Sequence, residues 1–269
     1  MRRRVLRATV EFAVTKIDPF SLTTVPLEQC ANGNAFGTAT GCMWLRHGQY
    51  YLITNWHVVT GRNARTGELE APVQPDMLKA HFNTRIMDFG KKVFDIRIRD
   101  AGNNPLWYIY PRRQRGCDLV AMLLGDIGDD PIANPYPINT LKSEADLAVR
   151  IGMDIYILGY PFGIKPPGFP VWKRGSIASE PDLTKIGAGY MLVDTTSRPG
   201  MSGAPAIRRS WAAHLLTDDA VSFDNTPQTK FIGVYSGRLH TDDPSDAQIG
   251  MVWPAEDIDD IIDGAQYDK

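Results

Sequence analysis

The sequence predicts an all-β protein built as a sandwich or a barrel. Short runs of apolar and β-branched residues recur along the chain, each bounded by Gly, Pro, Asn or Asp, which is typical of strands separated by turns. The 24 Gly and 19 Pro residues fall mostly between these runs, where turns require them. Helical signal is confined to two short stretches, so helices are expected to contribute little to the core.

The strand prediction depends on runs of the length that strands commonly have. In chain order they are GQYYLITN, KKVFDIRIR, DLVAMLL, DIYILGYP, YMLVDTT and KFIGVYSG. A stretch rich in Pro, Gly and Asp, Gly125 to Asn139, separates the first three runs from the last three. It predicts a boundary between two units, residues 1–130 and residues 131–269.

The two helical signals lie in the second unit. SEADLAV offers Ser143 as the cap of a short turn. PAEDIDDIIDGAQ begins at Pro254, a residue that suits the start of a helix. We therefore expect a short C-terminal helix.

The composition is that of an ordinary soluble globular chain, with 43% hydrophobic and 22% charged residues in a length of 269. Lys and Arg number 29 against 31 Asp and Glu, so the overall charge predicts no nucleic-acid partner. The basic cluster Met1–Arg7 is interpreted as a solvated terminus. It is not expected to be a signal peptide, because Glu11, Lys16 and Asp18 interrupt the apolar stretch that follows. No apolar segment is long enough to predict a membrane partner.

Three cysteines, Cys30, Cys42 and Cys117, are an odd number without CxxC spacing. They indicate neither a disulfide framework nor a zinc site. A reducing, cytoplasmic location is the expectation that fits this pattern best.

The stretch DTTSRPGMSGAP, Asp194 to Pro205, places Ser202 beside Gly203 and shortly after Gly200. A turn without chemistry is one interpretation, since Pro, Gly and Ser are common turn residues. An exposed nucleophile with free backbone N–H groups around it is the other. An alcohol nucleophile needs a base, so the choice between the two interpretations depends on whether the rest of the chain supplies one.

The chain has five histidines: His47, His57, His81, His214 and His240. Only His57 lies in a context that indicates chemistry, because the predicted strand Tyr50–Ile53 ends just before it and the chain leaves the sheet there. An imidazole at that edge can face a cleft and act as a base. A histidine satisfied by local hydrogen bonds is the alternative.

Asp118 stands at the head of the strongly apolar run DLVAMLL. A carboxylate there is costly to bury unless a group such as a histidine N–H donates to it. A turn-capping Asp is the alternative for an isolated residue. The order His57, Asp118, Ser202, with a barrel-sized stretch between successive members, favours a catalytic set.

These motifs resemble the trypsin-like, chymotrypsin-fold serine peptidases, and within them the bacterial HtrA-type branch. The resemblance covers roughly residues 35–265 and is carried by GTATG with YLITNWHVV, CDLVAMLL, RIGMDIYILGYPFG with KRGSIAS, VDTTSRPGMSGAP, KFIGVYSG and IGMVWP. It implies two six-stranded antiparallel β-barrels and a short C-terminal helix. It departs from the branch in that no PDZ domain is expected after the second barrel.

The resemblance also implies roles for individual residues. His57 would be the base, Asp118 its orienting acid and Ser202 the nucleophile, with the N–H groups of Gly200 and Ser202 as the oxyanion hole. The pocket for the substrate side chain would be formed by Thr196, Ser236, Gly237 and Arg238. The implied chemistry is hydrolysis of peptide bonds through an acyl-enzyme, with no metal or organic cofactor.

Two features predict how this chain would differ from relatives. A neutral Thr196 and the nearby Arg238 favour small apolar or acidic substrate side chains over basic ones. Met201 stands where secreted digestive relatives carry an acid that pairs with a newly released N-terminus. The chain is therefore expected to need no N-terminal cleavage, although an activating partner protein remains compatible with the sequence.

Two other functions fit parts of the pattern. The fold can serve as a catalytically silent binding or regulatory module. An α/β-hydrolase would also use a serine, but its elbow reads Gly-x-Ser-x-Gly and its histidine follows the serine, whereas residue 204 is Ala here.

Overall fold

Strands form most of the regular structure, as the sequence predicts, and they fall into two sets of six with one additional hairpin. The computed structural model describes residues 17–85, 90–113, 116–141, 145–164, 168–184, 187, 189–238 and 249–269. Met1–Arg7 and Ser143 lie outside these ranges, and residues 145–149 form no helix. The all-β architecture contradicts the α/β-hydrolase alternative.

The first set of strands forms an antiparallel sheet in the order β5-β4-β1-β2-β3-β6. Its members are β1 (Thr24–Ala31), β2 (Asn34–Arg46), β3 (Gln49–Thr54), β4 (Met77–Asn83), β5 (Lys91–Arg97) and β6 (Val120–Leu123). Two short helices accompany it, α1 (Pro19–Leu22) and α2 (Trp56–Thr60). Within the described ranges β5 and β6 are the sheet's edges, so it does not show the closed pairing that the second set has.

The second set closes into a barrel in the order β10-β13-β14-β9-β8-β7, and β7 pairs back to β10. Its members are β7 (Asp154–Gly159), β8 (Val171–Ile177), β9 (Met191–Asp194), β10 (Pro205–Ser210), β13 (Gln228–Arg238) and β14 (Ile249–Pro254). A separate hairpin of β11 (Ala213–Leu215) and β12 (Val221–Phe223) lies between β10 and β13 in sequence. Helix α3 (Glu256–Gly264) follows β14 and confirms the predicted C-terminal helix.

Buried side chains hold the two sets of strands together. One core cluster combines Trp44 and Ile53 from the first sheet with Leu158 and Val234 from the barrel and Ile258 from α3. Because these side chains bury apolar surface between the two sets, the packing of the core stabilises the position of one set relative to the other. The candidate site lies where the end of β3, the start of β6 and the loop before β10 meet. Among the described residues, no helix combines the length and apolarity needed to cross a membrane.

Candidate active site

The turn that carries His57 begins where β3 ends. Asn55 is extended and precedes α2, which Gly61 ends in a left-handed conformation with φ of 68°. The amide Nδ2 of Asn55 donates to the backbone oxygen of Asp118 over 2.8 Å. Trp56 is buried, whereas 29% of the His57 side chain is exposed. The turn therefore anchors one side chain in the core and presents the next one to solvent.

Asp118 lies just before β6 and its side chain is only 6% exposed. Its Oδ1 accepts the backbone N–H of His57 over 2.9 Å, and its Oδ2 faces Nδ1 of His57 over 2.7 Å. The hydroxyl of Ser236 donates to the same Oδ2 over 2.8 Å. Hydrogen bonds to a buried carboxylate offset the loss of its hydration, so Asp118 is held as an acceptor directed at His57.

The pKa of His57 is raised above its ordinary value. Burial alone lowers the pKa, but the charge of Asp118 and the hydrogen bond to it outweigh burial, and the charge of Glu70 adds to the rise. Donation from Nδ1 to Asp118 leaves Nε2 as the ring nitrogen that can accept a proton.

The loop before β10 depends on two glycines with positive φ. Gly200 has φ of 92°, and a Cβ there would collide with the backbone oxygen of Tyr160. Gly203 has φ of 82°, and a Cβ there would collide with the backbone oxygen of Thr40. Only a residue without a side chain fits these positions, which explains why Ser202 lies between glycines.

Thr40, on β2, fastens this loop to the first sheet. Its hydroxyl donates to the backbone oxygen of Gly200 over 2.7 Å, and its N–H donates to the backbone oxygen of Ser202 over 2.8 Å. Thr40 is fully buried. The loop that carries Ser202, in the second half, is thus positioned by a residue of the first half.

The backbone N–H groups around Ser202 differ in whether they have acceptors. The N–H of Met201 donates to Arg198 over 3.2 Å, and the N–H of Gly203 donates to Tyr235 over 2.9 Å. Within the described ranges, the N–H groups of Gly200 and Ser202 have no acceptor. These are the two groups that the family resemblance assigns to an oxyanion hole.

His57, Asp118 and Ser202 line one cavity of about 700 Å³. In the described part of the chain no hydrogen bond joins the hydroxyl of Ser202 to His57, and such bonds are often long before substrate binds. The remaining lining residues are Asn63, Ala64, Arg65, Glu70, Gly116, Tyr190, Ser197, Arg198, Pro199, Ser236, Gly237, Met251 and Trp253.

The four residues predicted to form the substrate pocket have different positions. Ser236 and Gly237 line the cavity, and a Cβ on Gly237 would lie 3.7 Å from Oγ of Ser202. Thr196 does not line it, because its backbone oxygen accepts from Lys173 Nζ and the residue lies in a separate cleft. The assignment of Thr196 to the pocket floor stays a prediction. Arg238 ends β13 and pairs with Gly250, but its side chain lies outside what the structure describes.

Several residues that line the cavity were not predicted as site residues. Tyr190 and Trp253 pack edge to face with ring centroids 5.2 Å apart, and Met251 lies beside them on the cavity wall. Tyr190 lies in the predicted strand run YMLVDTT, and Met251 and Trp253 lie in IGMVWP, one of the stretches that carry the family resemblance. Arg65 and Glu70 come from the segment after α2, where no motif indicated function.

The fold and the site define a two-part β protein with a Ser, His and Asp set at the junction. The family model described as the trypsin-like peptidase domain matches residues 39–213. This range is more than half of the chain and contains His57, Asp118 and Ser202. The chain belongs to the trypsin-like peptidase domain family.

Several solved protease structures are similar to this chain at low sequence identity. The active form of the Rv3671c protease from M. tuberculosis is 16% identical, with 99% of this chain and 96% of that chain covered and a TM-score of 0.47. A serine endoprotease from Yersinia pestis is 13% identical, with 91% and 64% covered and a TM-score of 0.45. The tobacco etch virus protease bound to product is 13% identical, with 95% and 82% covered and a TM-score of 0.45. No curated protein sequence matches this chain.

Proposed function

We propose that the protein is a serine endopeptidase in which Ser202 attacks the peptide carbonyl. The observation that carries this proposal is the Nδ1 to Oδ2 separation of 2.7 Å between His57 and Asp118, in the cavity that Ser202 also lines. A carboxylate on Nδ1 keeps the imidazole in the tautomer whose Nε2 can take a proton. Membership of the family supports a protease and leaves the roles of individual residues to this proposal.

The reaction follows from these positions. Nε2 of His57 removes the proton of Ser202 as Oγ bonds to the carbonyl carbon, and Asp118 stabilises the imidazolium. The N–H groups of Gly200 and Ser202 donate to the oxyanion. His57 then gives the proton to the leaving amine, and the C–N bond breaks to leave an ester on Ser202. Water attacks that ester by the same proton transfers and releases the acid.

We further propose that the cavity favours acidic or small apolar side chains over basic ones. Arg65 and Arg198 line it as exposed cations, and neither has an ion-pair partner in the described part of the chain. Glu70 is the opposing charge, and its Oε1 accepts from Asn63 Nδ2 over 2.8 Å. Nη1 of Arg198 donates to the backbone oxygen of Ser197 over 3.3 Å, a neutral acceptor that leaves the positive charge without a counter-charge in the described ranges. The preference thus depends on two guanidinium charges against one carboxylate.

Labelling with a fluorophosphonate tests the proposal. We expect wild-type protein to be labelled at Ser202 and to cleave members of a peptide library, and we expect Ser202→Ala to do neither. Hydrolysis by purified Ser202→Ala at the wild-type rate would contradict the assignment. A folded wild-type protein that is neither labelled nor active would favour the binding-module alternative.

A further inference from the structure

We propose that Asp268 is a positioning residue for the catalytic histidine. The segment after α3, residues 266–269, is called the strap here. Through Asp268 the strap binds the side chain of Trp56, the residue directly before His57. The inference rests on the proposed function of His57 as the base, and it adds a group that touches neither substrate nor the reacting atoms.

The first observation is the bond between the strap and the histidine turn. The indole Nε1 of Trp56 donates to Oδ2 of Asp268 over 2.7 Å. Trp56 is 2% exposed and Asp268 is 7% exposed. A buried indole N–H and a buried carboxylate are each costly without a partner, and a charge-assisted hydrogen bond satisfies both. Because Trp56 and His57 are consecutive in α2, fixing the indole limits rotation of the whole turn.

The second observation is that the strap pairs with the segment 107–109. The N–H of Ile109 donates to the oxygen of Gln266 over 2.9 Å, and the N–H of Asp268 donates to the oxygen of Trp107 over 3.4 Å. The rings of Tyr108 and Tyr267 lie 4.7 Å apart between these two bonds. These two hydrogen bonds hold the strap in place, so its position does not depend on the bond to Trp56 alone.

The same segment also binds the strand that follows Asp118. The N–H of Tyr108 donates to Ala121 over 2.9 Å, and the N–H of Ala121 donates to Tyr108 over 3.2 Å. Ala121 belongs to β6, which begins two residues after Asp118. The strap thus connects through Trp56 to His57 and through Tyr108 to the strand of Asp118. A shift of the strap would therefore change the distance between the imidazole of His57 and the carboxylate of Asp118, which must stay in contact.

Asp268 also interacts electrostatically with a nearby cation, Arg99. The guanidinium of Arg99 lies 5.1 Å from the ring centre of Trp107. Burial lowers the pKa of Arg99, and the charge of Asp268 opposes that effect. The attraction between Arg99 and the carboxylate of Asp268 therefore adds to the hydrogen bond from Trp56 in holding the strap in place.

The test compares Asp268→Ala and Trp56→Phe with wild type. Both variants remove the bond, and Phe keeps most of the buried ring. We expect kcat to fall about tenfold in each with little change in KM, because the substrate cavity is intact while the base is misplaced. We also expect the low-field proton of His57 Nδ1 to weaken or shift by NMR. The double variant should be no worse than either single variant.

Asp259→Ala is the matched control. Asp259 accepts from the indole Nε1 of Trp44 over 2.9 Å and also pairs with Arg46 over 2.7 Å. The control therefore removes a bond between an indole and a carboxylate that does not involve the residue next to His57. It should leave kcat and the His57 proton unchanged. Asp268→Asn keeps one acceptor oxygen and should retain most of the activity. If Asp268→Ala fails to fold, Trp56→Phe removes the same bond and still tests the inference.

The outcomes separate this inference from the proposed function. Wild-type kcat and an unchanged His57 proton in folded Asp268→Ala and Trp56→Phe would overturn it, even if their melting temperatures fall. If wild-type protein hydrolyses nothing, the proposed function fails, and the His57 proton still tests whether Asp268 holds the turn.

Discussion

The hydroxyl of Ser236 and Nδ1 of His57 meet at the same oxygen of Asp118, at 2.8 Å and 2.7 Å. The family resemblance assigns Ser236 only to the substrate pocket. In the structure Ser236 lines the cavity that His57 and Ser202 share, and it also donates to the buried carboxylate. Ser236 therefore links the pocket of the second half to the acid of the first half.

Ser236→Ala should lower kcat/KM by about tenfold, because Asp118 loses one of the donors that offset its burial. Steady-state kinetics on a peptide substrate measures the effect. Ser210→Ala is the control, since Ser210 is also buried but donates to the backbone oxygen of Ala213. Equal activity of the two variants would show that the Ser236 contact is without consequence.

The proposed triad predicts large losses from single changes. His57→Ala and Ser202→Ala should each reduce peptide hydrolysis on the order of a thousandfold or more, and Asp118→Asn by a similar order, without unfolding the chain. Circular dichroism checks the fold. His47→Ala is the control, because His47 is an exposed histidine that contacts Asp263. A residual rate near wild type in any triad variant would remove that residue from the mechanism.

The raised pKa of His57 predicts the pH dependence of activity. Catalysis needs the neutral imidazole, so kcat/KM should rise with pH through a midpoint above the ordinary value of about 6.5. The contribution of His57 to folding stability changes with pH in the opposite direction to the activity. Folding favours the protonated ring, so its stabilisation is complete below the unfolded pKa and is lost as pH rises through the folded pKa.

Glu70 contributes to that rise, and Glu70→Gln should move the midpoint of kcat/KM to lower pH. Glu68→Gln is the control, because Glu68 belongs to the same loop but does not line the cavity. Identical pH profiles for the two variants would mean that the charge of Glu70 does not reach the imidazole.

The residues lining the cavity predict a cleavage profile. Peptide-library cleavage should favour acidic or small apolar side chains, and Arg198→Ala or Arg65→Ala should weaken the acidic preference by about tenfold or less, as expected for exposed charges. Arg174→Ala is a control, since Arg174 is exposed but pairs with Asp154 in another cleft. A wild-type profile dominated by cleavage after Lys or Arg would contradict this prediction.

The parts of the site that sequence predicted are those with local signals. The turn around Ser202 and the strand before His57 could be predicted because the pattern of neighbouring residues indicates each of them. The assignment of Thr196 to the pocket stays a prediction, and neither Tyr190 nor Trp253 was assigned to the cavity. Their positions depend on how distant strands pair, as in the register of β13 with β14. The bond from Trp56 to Asp268 spans 212 residues, so no local pattern indicates it.

The last prediction concerns activation, and it depends on Met201. This side chain is 1% exposed and packs in the core of the barrel, where a Cβ on Gly159 would lie 2.9 Å from its sulfur. A buried thioether fills apolar space and forms no ion pair with a new N-terminus, so the nucleophile loop should be competent without N-terminal cleavage.

The measurement is fluorophosphonate labelling of intact protein, followed by mass spectrometry of its N-terminus. We expect Ser202 to react while Met1–Arg7, which lies outside the described residues, is still attached. Met201→Asp provides the contrast, because a carboxylate in this apolar site lacks a partner and should reduce labelling and stability together. If wild-type Ser202 reacts only after the N-terminus has been trimmed, the prediction is wrong. In that case another acid, such as Asp194, would have to pair with the new terminus, and Asp194→Asn should then abolish the activation.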